Sequence, residues 1–249
     1  MTELSAFAEV QAALERGDHA EVLRRTQEIL AERPGDDAAH ELRARSLLAL
    51  GRVREAEKEA DDAVRLDPDE VRYHELLAEV LAAEGAHRDA ADEYRRLAAG
   101  DPRQTEWTVA EARERLGAAQ PGMGIEAAQR ALRLDPQNAA AQLALAQGLT
   151  RLGQPGPAHE AALRAVAMLP GSGAARETLA DAQWLVGEVA AALDGYRQLA
   201  SELSGQAQDE VVRKARTLVR RRSGWFGRFL ASLPWLFEIA LRNGWLSVG

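Results

Sequence analysis

Apolar residues recur along the chain at intervals of three or four, as in Leu42, Leu47 and Leu50 and then Ala56, Ala60, Ala63 and Val64. That interval is the period of an α-helix with one buried face. Alternating runs of Val, Ile, Thr and Tyr, the mark of half-buried strands, are missing. The helical stretches are punctuated on a fixed grid. Gly17, Gly51, Gly85, Gly153 and Gly187 stand in a 34-residue register, with Ala119 at the one vacant point. Pro34, Pro68, Pro102, Pro136 and Pro170 follow the same period, and Ser204 takes the sixth place. A third grid is small or apolar (Val10, Ala44, Ala78, Ala112, Ala146, Ala180), and a fourth runs Ile29, Ala63, Leu97, Ala131, Ala165, Leu199.

Each register has a physical cause. The glycine ends a helix of about 13 residues in the left-handed conformation that only glycine adopts without strain. The proline follows a second helix, often as Asp-Pro, and cannot continue it. Ala56, Ala90, Ala158 and Ala192 open the second helices, where a small side chain lets two helices approach. The unit is helix, tight turn, helix, stop, and the fold class is all-α. The fourth unit is irregular: Gln120-Pro121-Gly122-Met123-Gly124 predicts no regular second helix before about Met123. That segment reads as an eroded turn or as a hinge between two halves.

The stretches LLALGRVREAEKEADDAVRLDP (47–68), LAAEGAHRDAADEYRRLAAGDP (81–102) and LTRLGQPGPAHEAALRAVAMLP (149–170) resemble the tetratricopeptide repeat family. The resemblance implies a right-handed superhelical solenoid of about six helix-turn-helix repeats over 3–204, at 3–36, 37–70, 71–104, 105–138, 139–172 and 173–204. His40, His74 and Gln142 replace the family's large aromatic early in the first helix, which predicts looser packing between neighbours. The resemblance further implies a concave groove lined by the first helices. Projected on this chain, that groove holds Phe7, Gln11, Leu14, Glu41, Arg45, Leu48, Glu75, Glu79, Val109, Arg113, Leu116, Leu143, Gln147, Glu177, Asp181 and Trp184. The Lys/Asn/Arg clamp by which some family members hold a C-terminal carboxylate is not matched. An acidic groove with apolar patches suits a helix or extended peptide with basic and apolar residues.

Charge sharpens the picture at the C-terminus. The chain has a net charge of −8, but residues 211–249 carry +7 and the remainder −15. Residues 207–222 predict a basic capping helix, and 223–249 an aromatic amphipathic tail with three of the five tryptophans and three of the four phenylalanines. Arg220, Arg221, Arg222, Trp225, Phe226, Phe229, Leu233, Trp235, Phe237 and Trp245 are its candidate docking residues. Trp225 to Leu241 is only 17 residues long and holds Arg228, Pro234 and Glu238, too short and too polar to span a bilayer. The tail is expected to pack on its own solenoid or on a second copy, to lie on an anionic membrane surface, or to dock on another protein. A further possibility is that it fills the groove until a partner displaces it.

Catalytic chemistry finds no foothold. There are no cysteines, and the five histidines are scattered; His40 and His74 stand one repeat apart, a packing position. Phosphate-binding glycine loops are missing, and Gly171-Ser172-Gly173 is a turn without the strand a nucleophile elbow needs. The expectation is a protein-binding scaffold and not an enzyme, with no cofactor, metal or nucleic acid. The cysteine-free composition and the acidic N-terminal stretch without a signal-peptide pattern predict a cytoplasmic location, with membrane association open.

Overall fold

A computed structural model describes residues 3–222, Phe237 and Ala240. Among these are thirteen α-helices and no strand. The chain divides into two compact units, 1–134 and 135–249. The first contains four helix pairs: α1 (Glu3–Glu15) and α2 (His19–Glu32), α3 (Asp37–Ala49) and α4 (Val53–Leu66), α5 (Val71–Glu84) and α6 (His87–Gly100), α7 (Thr105–Gly117) and α8 (Pro121–Leu134). The second contains α9 (Ala139–Arg151) and α10 (Pro155–Met168), α11 (Gly173–Val186) and α12 (Val189–Glu202), and a final α13 (Gly205–Arg222). Within each unit every helix packs on the next. First helices also touch one another, α1 on α3, α3 on α5 and α9 on α11, and so form the inner layer of their unit.

The helix ends follow from the punctuating residues. Asp18, Asp36, Asn138 and Ser172 cap N-termini by accepting from the backbone N–H three residues on, at 2.9 to 3.2 Å. The five grid glycines have φ between +66° and +98°. At Gly51 the closure is Gly51 N–H to Leu48 C=O and Arg52 N–H to Leu47 C=O, each 2.9 Å. Ala119 adopts the same left-handed geometry at φ +55°, with Ala119 N–H on Leu116 C=O at 3.2 Å and Gln120 N–H on Arg115 C=O at 2.8 Å. Hydrogen bonding therefore holds an alanine where the other turns have glycine.

The fourth pair corrects the expectation drawn from Pro121. Helix α8 begins at Pro121 itself, because the first helical position has no N–H bond to lose and needs the φ that proline already has. Gly124 takes the register of Ala56, Ala90, Ala158 and Ala192. A Cβ on Gly124 would lie 3.0 Å from Leu116 Cγ and Cδ2 and 3.1 Å from the Ala112 carbonyl oxygen, so glycine sets the close contact of α7 and α8. The division between the compact units falls after Leu134, away from this turn.

Small residues dominate the cores of the pairs. In the first unit Ala44, Ala56, Ala60 and Ala90 are inaccessible, and Leu47, Leu76 and Val80 pack with them. His40 and His74 are buried and bonded at both ring nitrogens. Their Nε2 atoms meet the carbonyls of Pro34 (3.1 Å) and Pro68 (2.9 Å), and their Nδ1 atoms meet Glu59 (2.6 Å) and Glu93 (2.8 Å) of the paired second helix. In the second unit the equivalent Gln142 donates from Nε2 to the Ala161 carbonyl at 3.3 Å. Polar side chains at this register thus tie the two helices of a pair.

Candidate functional site

The first helices determine which side chains face the inner layer, and the two units differ in what they place there. In the first unit Phe7 is half-buried against the α1–α2 core and Gln11 is exposed. Glu41 is buried and pairs with Arg45 Nε at 2.9 Å and with Arg72 Nη1 at 3.6 Å. Glu75 accepts from Trp107 Nε1 at 2.6 Å. Glu79 is exposed, and Arg113 reaches Glu114 at 3.0 Å. Burial holds the Tyr94 hydroxyl up at about 12, and Glu79 across from it adds to the shift.

In the second unit Leu143, Gln147, Glu177 and Asp181 are half-buried, whereas Trp184 is not a groove residue: it is buried in the core beneath. The reason is position on the helix, since Trp184 lies one turn past Ala180 on the face that meets α12 and α13. Lys214 of α13 reaches across and places its Nζ 2.6 Å from Glu177 Oε1 and 2.5 Å from Asp181 Oδ2. Tyr196 donates its hydroxyl to Asp181 Oδ1. Burial pushes the Asp181 carboxyl up, and the contacts from Lys214 and Tyr196 only partly offset it. Burial alone would push the Lys214 ammonium down, yet Asp181 and Glu177 hold it above its usual range. Gln147, Thr150, Arg151, Glu177, Asp181 and Lys214 border a cleft of about 410 Å³.

The acids expected in the groove are thus mostly engaged within the chain. Three of the five acids placed there are bound to cations of the same chain, and a fourth holds a tryptophan. Lys214, Arg72, Trp107 and Tyr196 were not foreseen as part of these faces. For Lys214 a signal existed: it stands 34 residues after Ala180, on the grid where a continuing array has a small residue. A long charged side chain there marks the end of the array.

Of the tail, Phe237 is described and is fully buried. It packs with Trp184, Leu193, Tyr196, Leu199, Val211, Ala215 and Val219 of α11, α12 and α13. Trp225, Phe226, Phe229, Leu233, Trp235 and Trp245, and the side chains of Arg220, Arg221 and Arg222, lie outside the described residues. Among the described residues no helix is long and apolar enough to cross a membrane.

Residues 13–80 match the family model of the tetratricopeptide repeat. The structure is similar to that of a tetratricopeptide repeat protein from Parabacteroides merdae, with a TM-score of 0.75 at 13% identity over 95% of this chain and 92% of that one. The family match covers residues 13–80, and the fold is that of tetratricopeptide repeat structures. It is also similar to PilW, a type IV pilus biogenesis factor, with a TM-score of 0.67 and 16% identity over 85% of this chain and all of that one. A chain of the Cut9–Hcn1 hetero-tetramer matches with a TM-score of 0.65 and 14% identity, over 94% of this repeat protein and 45% of that chain. At these identities the likenesses concern the fold. No curated protein matches in sequence. Tetratricopeptide repeat proteins are generally scaffolds for protein interactions rather than enzymes.

Proposed function

We propose that this repeat protein is an interaction scaffold whose first-helix faces hold a helix or extended peptide of a partner protein. The observation that carries the reading is the composition of those faces. In the first unit half-buried Phe7 and Val109 share the first-helix faces with exposed Glu79 and Arg113, and in the second unit half-buried Leu143 shares them with Glu177 and Asp181. Such a face offers apolar pockets with a polar rim, the layout of a peptide-binding surface. A basic partner residue would compete with Arg72 for Glu41 or with Lys214 for Glu177 and Asp181. Binding should then weaken with salt, and selectivity should come from replacing one ion pair by another.

The burial of Phe237 supports a tail docked on the last repeat of its own chain, where it would close the array. A second reading, favoured by the run Arg220–Arg222 ahead of the aromatic tail, places the tail on an anionic membrane surface. Two experiments separate these readings. The tagged full chain is used to recover partners from its source cells, alongside Glu75→Lys/Glu79→Lys and an outer-face control, Asp89→Lys. A partner kept by the control and lost by the double variant supports groove binding, and equal recovery by all three sinks it. Flotation with anionic liposomes then compares the full chain with one ending at Ser223. Flotation of the full chain alone favours the membrane reading, and absence of flotation removes it.

A further inference from the structure

The two buried histidines of the first unit share a geometry but not a neighbourhood. His40 uses Nε2 to donate to the Pro34 carbonyl at 3.1 Å, which leaves the lone pair of a neutral ring on Nδ1. Nδ1 faces Glu59 Oε2 at 2.6 Å. The ring nitrogen and the carboxylate oxygen thus converge as two ligand atoms on one spot. His74 repeats the arrangement with Pro68 and Glu93, but the residue one turn beyond Glu93 is Arg96, which offers no ligand atom. Beyond Glu59 the corresponding residue is Asp62. One ligand atom each from His40, Glu59 and Asp62 lie within 4.8 Å of one another.

We propose that His40, Glu59 and Asp62 form a site for a divalent cation of the zinc class. The donor set is one imidazole and two carboxylates, which balances a charge of two and leaves a position for water or a partner's side chain. The surrounding contacts are those that orient metal ligands. The Pro34 carbonyl fixes the His40 ring, Arg43 Nε holds Glu59 Oε1 at 2.9 Å, and Arg65 Nη2 holds Asp62 Oδ1 at 2.6 Å. Each carboxylate keeps its second oxygen for the ion. Zinc at about 2.0 Å from nitrogen and about 2.1 Å from oxygen holds tetrahedral ligand atoms roughly 3.3 Å apart. His40 and Glu59 must part by about 0.7 Å to admit it, a movement that a rotation of the half-buried Glu59 side chain supplies. Asp62, about a quarter exposed, gives the entry path.

The repeat supplies its own control substitutions. Asp62→Arg copies the third repeat, His40→Gln copies Gln142 of the fifth, and His74→Gln alters the pair that lacks a third ligand. Full-length protein, freed of metal by chelation, is titrated with zinc alone by calorimetry, with circular dichroism to confirm folding. The expected result is one stoichiometric site in the wild type and in His74→Gln, weakened at least about tenfold by Asp62→Arg and abolished by His40→Gln. A melting midpoint raised by zinc and restored by chelator should follow the same order. Equal binding by Asp62→Arg and wild type, loss of binding in His74→Gln, or no saturable binding by the wild type would each overturn the proposal.

Discussion

The middle pairs of the first unit and the C-terminal end of the second bury their apolar surface by opposite means. In α3 to α6 the contacts are made by alanines with a few leucines and tyrosines, and the helices approach closely because there is so little between them. At the end of the second unit the cluster is built from Trp184, Tyr196 and Phe237 with Val211 and Val219. The difference follows from having neighbours. Helices α4 and α5 are flanked on both sides by the next element of the period. Helix α12 is followed by α13 and then by Phe237, chain that no longer obeys the period, and large side chains cover there what a further repeat would have covered. The end of a repeat array is thus a different packing problem from its interior.

The largest test removes the covering residue. Phe237→Ala deletes a fully buried aromatic, and the lost transfer energy and the cavity should cost about 3–5 kcal/mol. Urea unfolding followed by tryptophan fluorescence should report it, because Trp184 lies in the same cluster. A midpoint unchanged from wild type would mean that the tail does not cap the repeat, and would leave it for a membrane or a partner.

The interior is tested in the opposite sense, by adding volume. Ala56 is inaccessible between α3 and α4, and Ala56→Leu should destabilise by about 1–3 kcal/mol through overpacking. An unchanged melting temperature would show that the pairs are looser than their alanine contacts require. The same enlargement at exposed Ala191 should be nearly neutral.

These two tests also mark what the sequence could disclose. The fold was legible because turn chemistry is local: a glycine at φ above +60° and a proline after a helix announce themselves without knowledge of the neighbours. The start of α8 is not legible, because Pro121 among glycines has the pattern of a breaker, whereas at the first helical position proline is an initiator. The inner faces were legible as positions but not as chemistry. Glu41, Glu177 and Asp181 look like free acids in sequence, and only the three-dimensional placement of Arg72 and Lys214, 31 to 37 residues away, shows them paired. Trp184 belongs to the core for a related reason, since one turn past Ala180 it meets α12 and α13 and not the inner face.

The ion pair that joins α13 to α11 gives a smaller, pH-dependent test. Lys214 is about a third exposed, so Lys214→Met should cost only about 1 kcal/mol at neutral pH. The sign follows from the shifts. The Lys214 ammonium is held above its ordinary 10.5, so its contribution is fully present below that value and is lost as the pH rises through the folded-state value. Wild type and variant should therefore converge in alkali. Asp181 is pushed up by burial, so its ionised form opposes folding at neutral pH and the penalty is relieved in acid. Without Lys214 that penalty grows, and the variant should regain stability as the pH falls. A constant difference between the two proteins at every pH would show that the contact is one of packing and not of charge.

The smallest effect lies at the turn where the interior departs from its own rule. Ala119 is the one described residue other than glycine with positive φ, and it adopts +55° because two backbone bonds and the flanking helices require it. The left-handed conformation costs an alanine about 1–2 kcal/mol, while glycine there adds unfolded-state entropy that opposes folding by about 0.5–1 kcal/mol. The balance predicts that Ala119→Gly stabilises the protein by about 0.5–1 kcal/mol, read as a rise in urea midpoint at unchanged slope. The matched reversal, Gly85→Ala, meets no neighbouring atom and isolates the backbone cost, so it should destabilise by a similar amount. If both substitutions destabilise, the alanine is held by contacts specific to the fourth pair, and that turn differs from the others in more than its side chain.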